Sequence, residues 1–122
     1  MTDLQRALAA FWSRFAPAYV SGCVPEGAEL PYIVFDAARP DALGQTLLAA
    51  TLWCRGDARR AEILTRIAGA IPPGGVRLPL GGGFAILERN GDFQSLRADP
   101  QNPAILGGRT ACALRYYNIE EE

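Results

Sequence analysis

The segment QTLLAATLWCRGDARRAEILTRIAGAI, residues 45–71, constrains the fold more than any other part of the chain. Residues 46–55 alternate in two sets. Thr46, Leu48, Ala50, Leu52 and Cys54 form one; Leu47, Ala49, Thr51, Trp53 and Arg55 form the other. Both sets are largely apolar, so the segment predicts a central strand covered on both faces rather than one with a wet side. A break at Gly56-Asp57 follows, with Asp57 placed as the N-cap of a helix. That helix carries Ala61, Leu64, Ile67, Ala68 and Ile71 on one stripe, with Arg59, Arg60, Glu62 and Arg66 mostly outside it.

The remaining elements arrange themselves around this unit. Thr2 is a plausible N-cap for a first helix whose stripe is Leu4, Ala7, Leu8, Phe11, Trp12 and Phe15, with Pro17 marking the stop. Residues 20–31 read as loop, and 32–36 as a short strand entered through Pro31. Residues 37–44 are too irregular to assign. After the second helix, residues 72–75 terminate it, and 76–80 form a short edge strand limited by Pro79. Residues 84–89 and 92–97 flank Asn90-Gly91, the strongest two-residue hairpin signal in the chain, with a bulge in one continuous strand as the rival reading. Residues 98–108 read as an open loop. The last strand, 109–117, sets Thr110, Cys112, Leu114 and Tyr116 against Arg109, Ala111, Ala113, Arg115 and Tyr117. The fold class is therefore α+β: a mainly antiparallel sheet of four to five strands with two helices on one face, in the order α-β-β-α-β-β-β. At 122 residues, one domain spanning 1–122 is expected.

Composition narrows the chemistry. With 49% hydrophobic and 20% charged residues the chain is neither disordered nor membrane-spanning, and no run approaches the roughly 20 apolar residues of a membrane span. Net charge is −1; without Glu120–Glu122 it is 12 Arg against 10 Asp and Glu, too even for a nucleic-acid footprint. All the cations are arginine. The absence of histidine removes imidazole-based nucleophile activation, imidazole zinc sites and the usual general base; the absence of lysine removes the P-loop lysine and Schiff bases. Cys23, Cys54 and Cys112 are odd in number and lack C-x-x-C spacing, which favours small buried thiols over a redox or metal role. Among carboxylates, Asp36, Asp41 and Asp57 are near one another in sequence, while Glu88 and Asp92 flank the expected turn and are solvated; an acid pair of glycosidase type is the weakest reading. Gly81–Gly83 lacks phosphate-loop spacing, and the 99–102 segment falls short of a calcium loop. No catalytic, cofactor or metal residue is assigned.

The positive signals concern assembly. Trp53 and Arg55 on the second face of the central strand, with Arg109, Arg115 and Tyr117 on the last, combine the residue types that buried protein interfaces favour. The alternative is that arginine stems simply cover a wet sheet face.

Taken whole, residues 4–118 resemble the small tail-terminator (tail-completion) proteins of long-tailed bacteriophages. The resemblance lies in the N-terminal helix followed by VPEGAELPYIVF (24–35), the strand ending in LWCR (52–55) that leads into the second helix, and the closing 109–117 strand with its Tyr116-Tyr117 pair after a loop rich in Asp, Pro and Asn. Order and spacing carry the match; residues 72–83 fit it least. The resemblance implies a non-enzymatic virion protein of the tail–neck region, assembled in the host cytoplasm as a ring, a hexamer by expectation. Such a ring caps the tail tube, stops its polymerisation and presents a surface to head-completion proteins, with no membrane and no sequence-specific nucleic acid involved. Its working parts would be ring interfaces and the loops 37–45 and 98–108, with Arg39, Asp41, Arg97 and Asp99 as contact residues. Another neck or head-closure protein is the nearest alternative. A regulatory domain holding a small molecule between the second helix and the sheet is an alternative of a different class.

Overall fold

The computed structural model describes residues 2–38 and 44–118. In chain order the elements are α1 (Asp3–Trp12), β1 (Ala18–Val20), β2 (Tyr32–Phe35), β3 (Gln45–Cys54), α2 (Asp57–Ala70), β4 (Val76–Leu80), β5 (Gly83–Ala98) and β6 (Leu106–Asn118). The class is α+β, with six strands rather than four to five, in the sheet order β1-β2-β3-β6-β5-β4. The added strand is β1, which pairs parallel to β2 through Ala18↔Ile33 to Val20↔Phe35, so the curled sheet is mixed. The three residues Ala18–Val20 are too few to show a two-residue period, and only pairing with β2 defines them as a strand.

β3 lies inside the sheet, antiparallel to β2 on one side and to β6 on the other. Leu48, Ala50, Leu52 and Cys54 join Ile33 and Phe35 of β2, Cys112 and Leu114 of β6, Ala85 and Leu87 of β5 and Leu78 of β4 in one buried cluster with both helices. Both helices thus pack on one face. The other face of β3 carries no helix, and Leu47 at its start is 70% exposed. The expectation of cover on both sides fails here, because two helices cannot span both faces of six strands.

α1 follows its sequence pattern. Thr2 caps it by accepting from the Gln5 N–H at 3.1 Å, and Leu4, Leu8, Phe11 and Trp12 are buried. α2 departs from its pattern twice. Asp57 is the first helical residue, ion-paired with Arg60 at 3.0 Å; the N-cap is Gly56 at φ 88°, which makes no side-chain cap. The buried stripe is Ile63, Leu64, Ile67 and Ile71, with Ala61 exposed. Rotation about the helix axis buries the branched Ile63 in place of Ala61, which gains more apolar area.

Asn90-Gly91 is a bulge in one 16-residue strand, not a hairpin. A type I′ turn needs positive φ at both central residues. Here the left-handed residues are Gly91 (φ 58°) and Phe93 (φ 66°), with Asp92 between them. β6, 13 residues long, supplies a continuous partner, from Gly83↔Asn118 to Arg89↔Cys112 and then from Gln94↔Thr110 to Ala98↔Leu106. The bulge reverses the facing of β5. Ala85, Leu87 and Arg89 turn toward the helices before it, Gln94 after it.

Arg89 uses that position to finish α2. Its Nε donates to the Ile71 carbonyl at 2.6 Å and its Nη2 to the Ala68 carbonyl at 2.9 Å, while the guanidinium covers the Phe93 ring at 4.4 Å. α2 has no basic residue in its own last turn, so a strand residue supplies the cation that the helix C-terminus favours. Arg89→Ala is expected to lower stability by about 1–2 kcal/mol and Arg89→Lys to recover less than half of that, since an ammonium cannot span two carbonyls as a planar fork does. Urea unfolding midpoints check the energies, and faster amide exchange confined to residues 68–71 locates the loss.

Candidate functional site

The helix-free face of the sheet is built by simple alternation from the registers. β3 contributes Leu47, Ala49, Thr51 and Trp53; β6 contributes Gly107, Arg109, Ala111, Ala113, Arg115 and Tyr117. Before the bulge β5 adds Phe84, Ile86 and Glu88, and after it Ser95 and Arg97. This face is small-floored, aromatic and basic. Arg77, Arg97, Arg109 and Arg115 stand on it against the single carboxylate of Glu88 among the described residues.

Its two ends differ. At one end Tyr117 stacks on Phe84 with centroids 4.9 Å apart, and Arg77 lies 3.9 Å over the Phe84 ring. Arg115 pairs there with Glu88 at 2.5 Å, a half-exposed contact across β5 and β6. Glu88 is therefore a strand residue with a partner, not a solvated turn carboxylate. At the other end Trp53 lies over Gly107. A Cβ on Gly107 would meet the indole at 2.7 Å and the Arg97 Cβ at 3.1 Å, so glycine is what lets the ring and the Arg97 stem lie flat. Arg109 is two residues along β6, opposite Thr51 and Ser95. Arg55 follows β3 at the rim of an open cleft of about 520 Å3 lined by Glu29, Leu30, Pro31, Tyr32, Arg59 and Ile105 among others.

The structure thus brings four of the sequence-selected residues, Trp53, Arg55, Arg97 and Arg109, to one end of one face. Arg115 belongs to the opposite end. Asp99 is partly buried and builds a turn; its Oδ1 accepts from the backbone N–H groups of Gln101 (2.8 Å) and Asn102 (3.2 Å). Arg39 and Asp41, with most of the 37–45 loop, lie outside the described residues. The 98–108 loop is shorter than its composition implies, since Ala98 closes β5 and Leu106, Gly107 and Gly108 open β6. Sequence reasoning missed the Gly107-Gly108 pair for this reason, taking two glycines as loop.

Asp36 is also accounted for locally. Asp36 accepts the Ala49 N–H at 2.9 Å and donates its own N–H to the Ala49 carbonyl at 3.0 Å, tying β2 to β3. Among the described residues no three of His, Cys, Asp and Glu come together as a metal site. The space between α2 and β6 is filled at Gly108, where an added Cβ would stand 2.6 Å from Leu64 Cδ1.

Of the thiols, Cys54 and Cys112 are buried and Cys23 is exposed, which corrects the expectation of three buried thiols. Burial pushes Cys112 up to about 12 and raises Cys54 also, against the opposing pull of Arg60 and Arg59. A disulfide reagent at pH 8 is expected to titrate one thiol, Cys23, in the native chain and three after unfolding. Because the unfolded Cys112 thiol ionises near 9.0 while the folded one holds its proton to about 12, stability should fall as pH rises through that interval. A Cys112→Ala variant should show a flatter decline in unfolding midpoint there.

Comparison with known protein families finds none that matches this chain, and comparison with curated proteins finds none either.

Proposed function

We propose that the chain is a structural subunit of the phage tail–neck region that assembles with copies of itself into a ring, hexameric by expectation. The ring caps the tail tube, halts its growth and offers a surface to a head-completion protein. The observation that carries this reading is the helix-free sheet face. It holds Leu47 at 70% exposure and Tyr117 at 40%, between arginines and aromatic rings that favour burial against protein. A sheet face with exposed apolar side chains and no helix over it gains by covering them with another subunit. The order of elements that resembles tail terminators supports the same reading. So does the shape of the chain, whose sheet edges are guarded by Pro79 in β4 and by the three-residue length of β1, features that discourage open-ended strand pairing.

The test is assembly of the purified full chain. Native mass spectrometry and negative-stain imaging should show a closed ring, and the ring added to a polymerising tail-tube protein should shorten the tubes. A monomer across the whole concentration range, or tubes of unchanged length, would overturn the proposal.

A further inference from the structure

The sheet is polarised along its strands, and this bears on how copies meet. At the β3 C-terminal end stand Arg55, Arg97 and Arg109 around Trp53, with Arg59 across the cleft on α2. None of these four guanidiniums has an ion pair or hydrogen bond among the described residues, whereas Arg60 beside them donates to Asp57 at 3.0 Å and to the Gly107 carbonyl at 3.3 Å. Glu29 is the one carboxylate lining the adjoining cleft. Four cations thus stand at one end, where Glu29 lines the cleft, Asp57 is taken by Arg60, and Asp99 accepts from backbone N–H groups.

At the other end, β6 closes at Asn118 opposite Gly83, and the sequence goes on to Ile119 and the three acids Glu120, Glu121 and Glu122. β6 begins at Leu106, opposite Cys54, beside the arginine end. The twelve steps from Leu106 to Asn118 separate the two ends by roughly 40 Å at strand rise. Four residues beyond Asn118 reach at most about 14 Å. The acidic segment therefore cannot meet these four arginines of its own subunit; of the two arginines at its own end, Arg115 is already paired with Glu88 and Arg77 lies over the Phe84 ring.

We propose that the 119–122 segment of one copy docks on the Arg55–Trp53–Arg97–Arg109 end of the next copy, with Arg59 closing the cleft side, and that this head-to-tail contact sets the direction of assembly. The inference deepens the ring reading and rests on it for closure, but the pairwise contact stands without a closed ring. A heterologous contact between opposite ends is the kind that builds rings when the rotation closes and chains when it does not. Two arginine ends brought face to face would set like charges against each other, which disfavours that encounter relative to the acidic segment meeting the arginines.

Charge swapping in the full chain tests it. One variant carries Arg55→Glu, Arg97→Glu and Arg109→Glu, which reverses the site from four positive charges to a net of two negative; a second carries Glu120→Arg, Glu121→Arg and Glu122→Arg. Arg55, Arg97 and Arg109 are outside the buried cluster, and the melting temperature of each variant, measured beside the parent's, should stay near it. By sedimentation, each variant alone should need at least about tenfold more protein to assemble, while an equimolar mixture, in which every contact again joins opposite charges, should return to within about threefold of the parent. Parent assembly should also weaken as salt rises. If the parent forms rings and both variants form them equally well, the docking inference falls and the ring reading stands. If the parent forms open chains that obey the swap, the docking inference stands and the ring reading falls. A parent that is monomeric throughout sinks both.

Discussion

Trp12→Ala is expected to lower stability by about 3–5 kcal/mol, a large share of what a domain of this size has. Trp12 is fully buried, edge-on to Phe11 at 5.0 Å and tilted against Phe15 at 6.5 Å, and it anchors α1 in the core cluster that the helices share with the sheet. Its indole Nε1 is buried without a hydrogen-bond partner. An unmatched buried donor costs about 1–3 kcal/mol, so Trp12→Phe removes that penalty while leaving most of the apolar contact. The phenylalanine variant is therefore expected to lie much closer to the parent than to the alanine variant. Urea midpoints at unchanged slope measure both. Equal losses for Phe and Ala would mean that the indole N–H is matched in solution and the core is built differently around it.

Gly108→Val should be comparably severe. A Cβ at 108 would sit 2.6, 2.8 and 3.1 Å from Leu64 Cδ1, Cδ2 and Cγ, so α2 must lift from β6 or Leu64 must leave its place. Gly108→Ala is expected to lose about 1–3 kcal/mol through this overpacking, and the valine variant more. Leu64→Ala alone should lose about 2–5 kcal/mol, and its combination with Gly108→Ala less than the sum, since each relieves the other. Gly74→Ala is the control, with nothing within 4 Å of its added Cβ. Strict additivity between 64 and 108 would show that the helix does not seat on that glycine.

These two sites differ in how far the linear sequence reveals them. The α1 stripe is a local property. Leu4, Leu8, Phe11 and Trp12 fall on one side of a helix because 3.6 residues make a turn, whatever the helix packs on. The alternation in β3 and β6 is legible for the same reason. Gly108 is different, because its meaning comes from Leu64, more than forty residues earlier. Read alone, Gly107-Gly108 is loop. In the sheet it is the place where Trp53 lies on one face and Leu64 on the other. Asn90-Gly91 misleads similarly, since a turn dipeptide becomes a bulge once β6 offers a continuous partner along all of β5.

The candidate surface follows the same division. Trp53, Arg55, Arg97 and Arg109 are visible singly as interface-type residues. Their gathering at one end depends on the pairing of β3, β5 and β6 and on the bulge that turns Arg97 to the face of Trp53.

From the residues alone came the helices, the central strand, most of the buried set and the want of histidine and lysine chemistry, because periodicity and side-chain inventory are local. The sixth strand, the facing of β5 beyond its bulge and the gathering of Trp53, Arg97 and Arg109 at one sheet end were decided only by the folded chain, because register joins segments that the sequence keeps far apart.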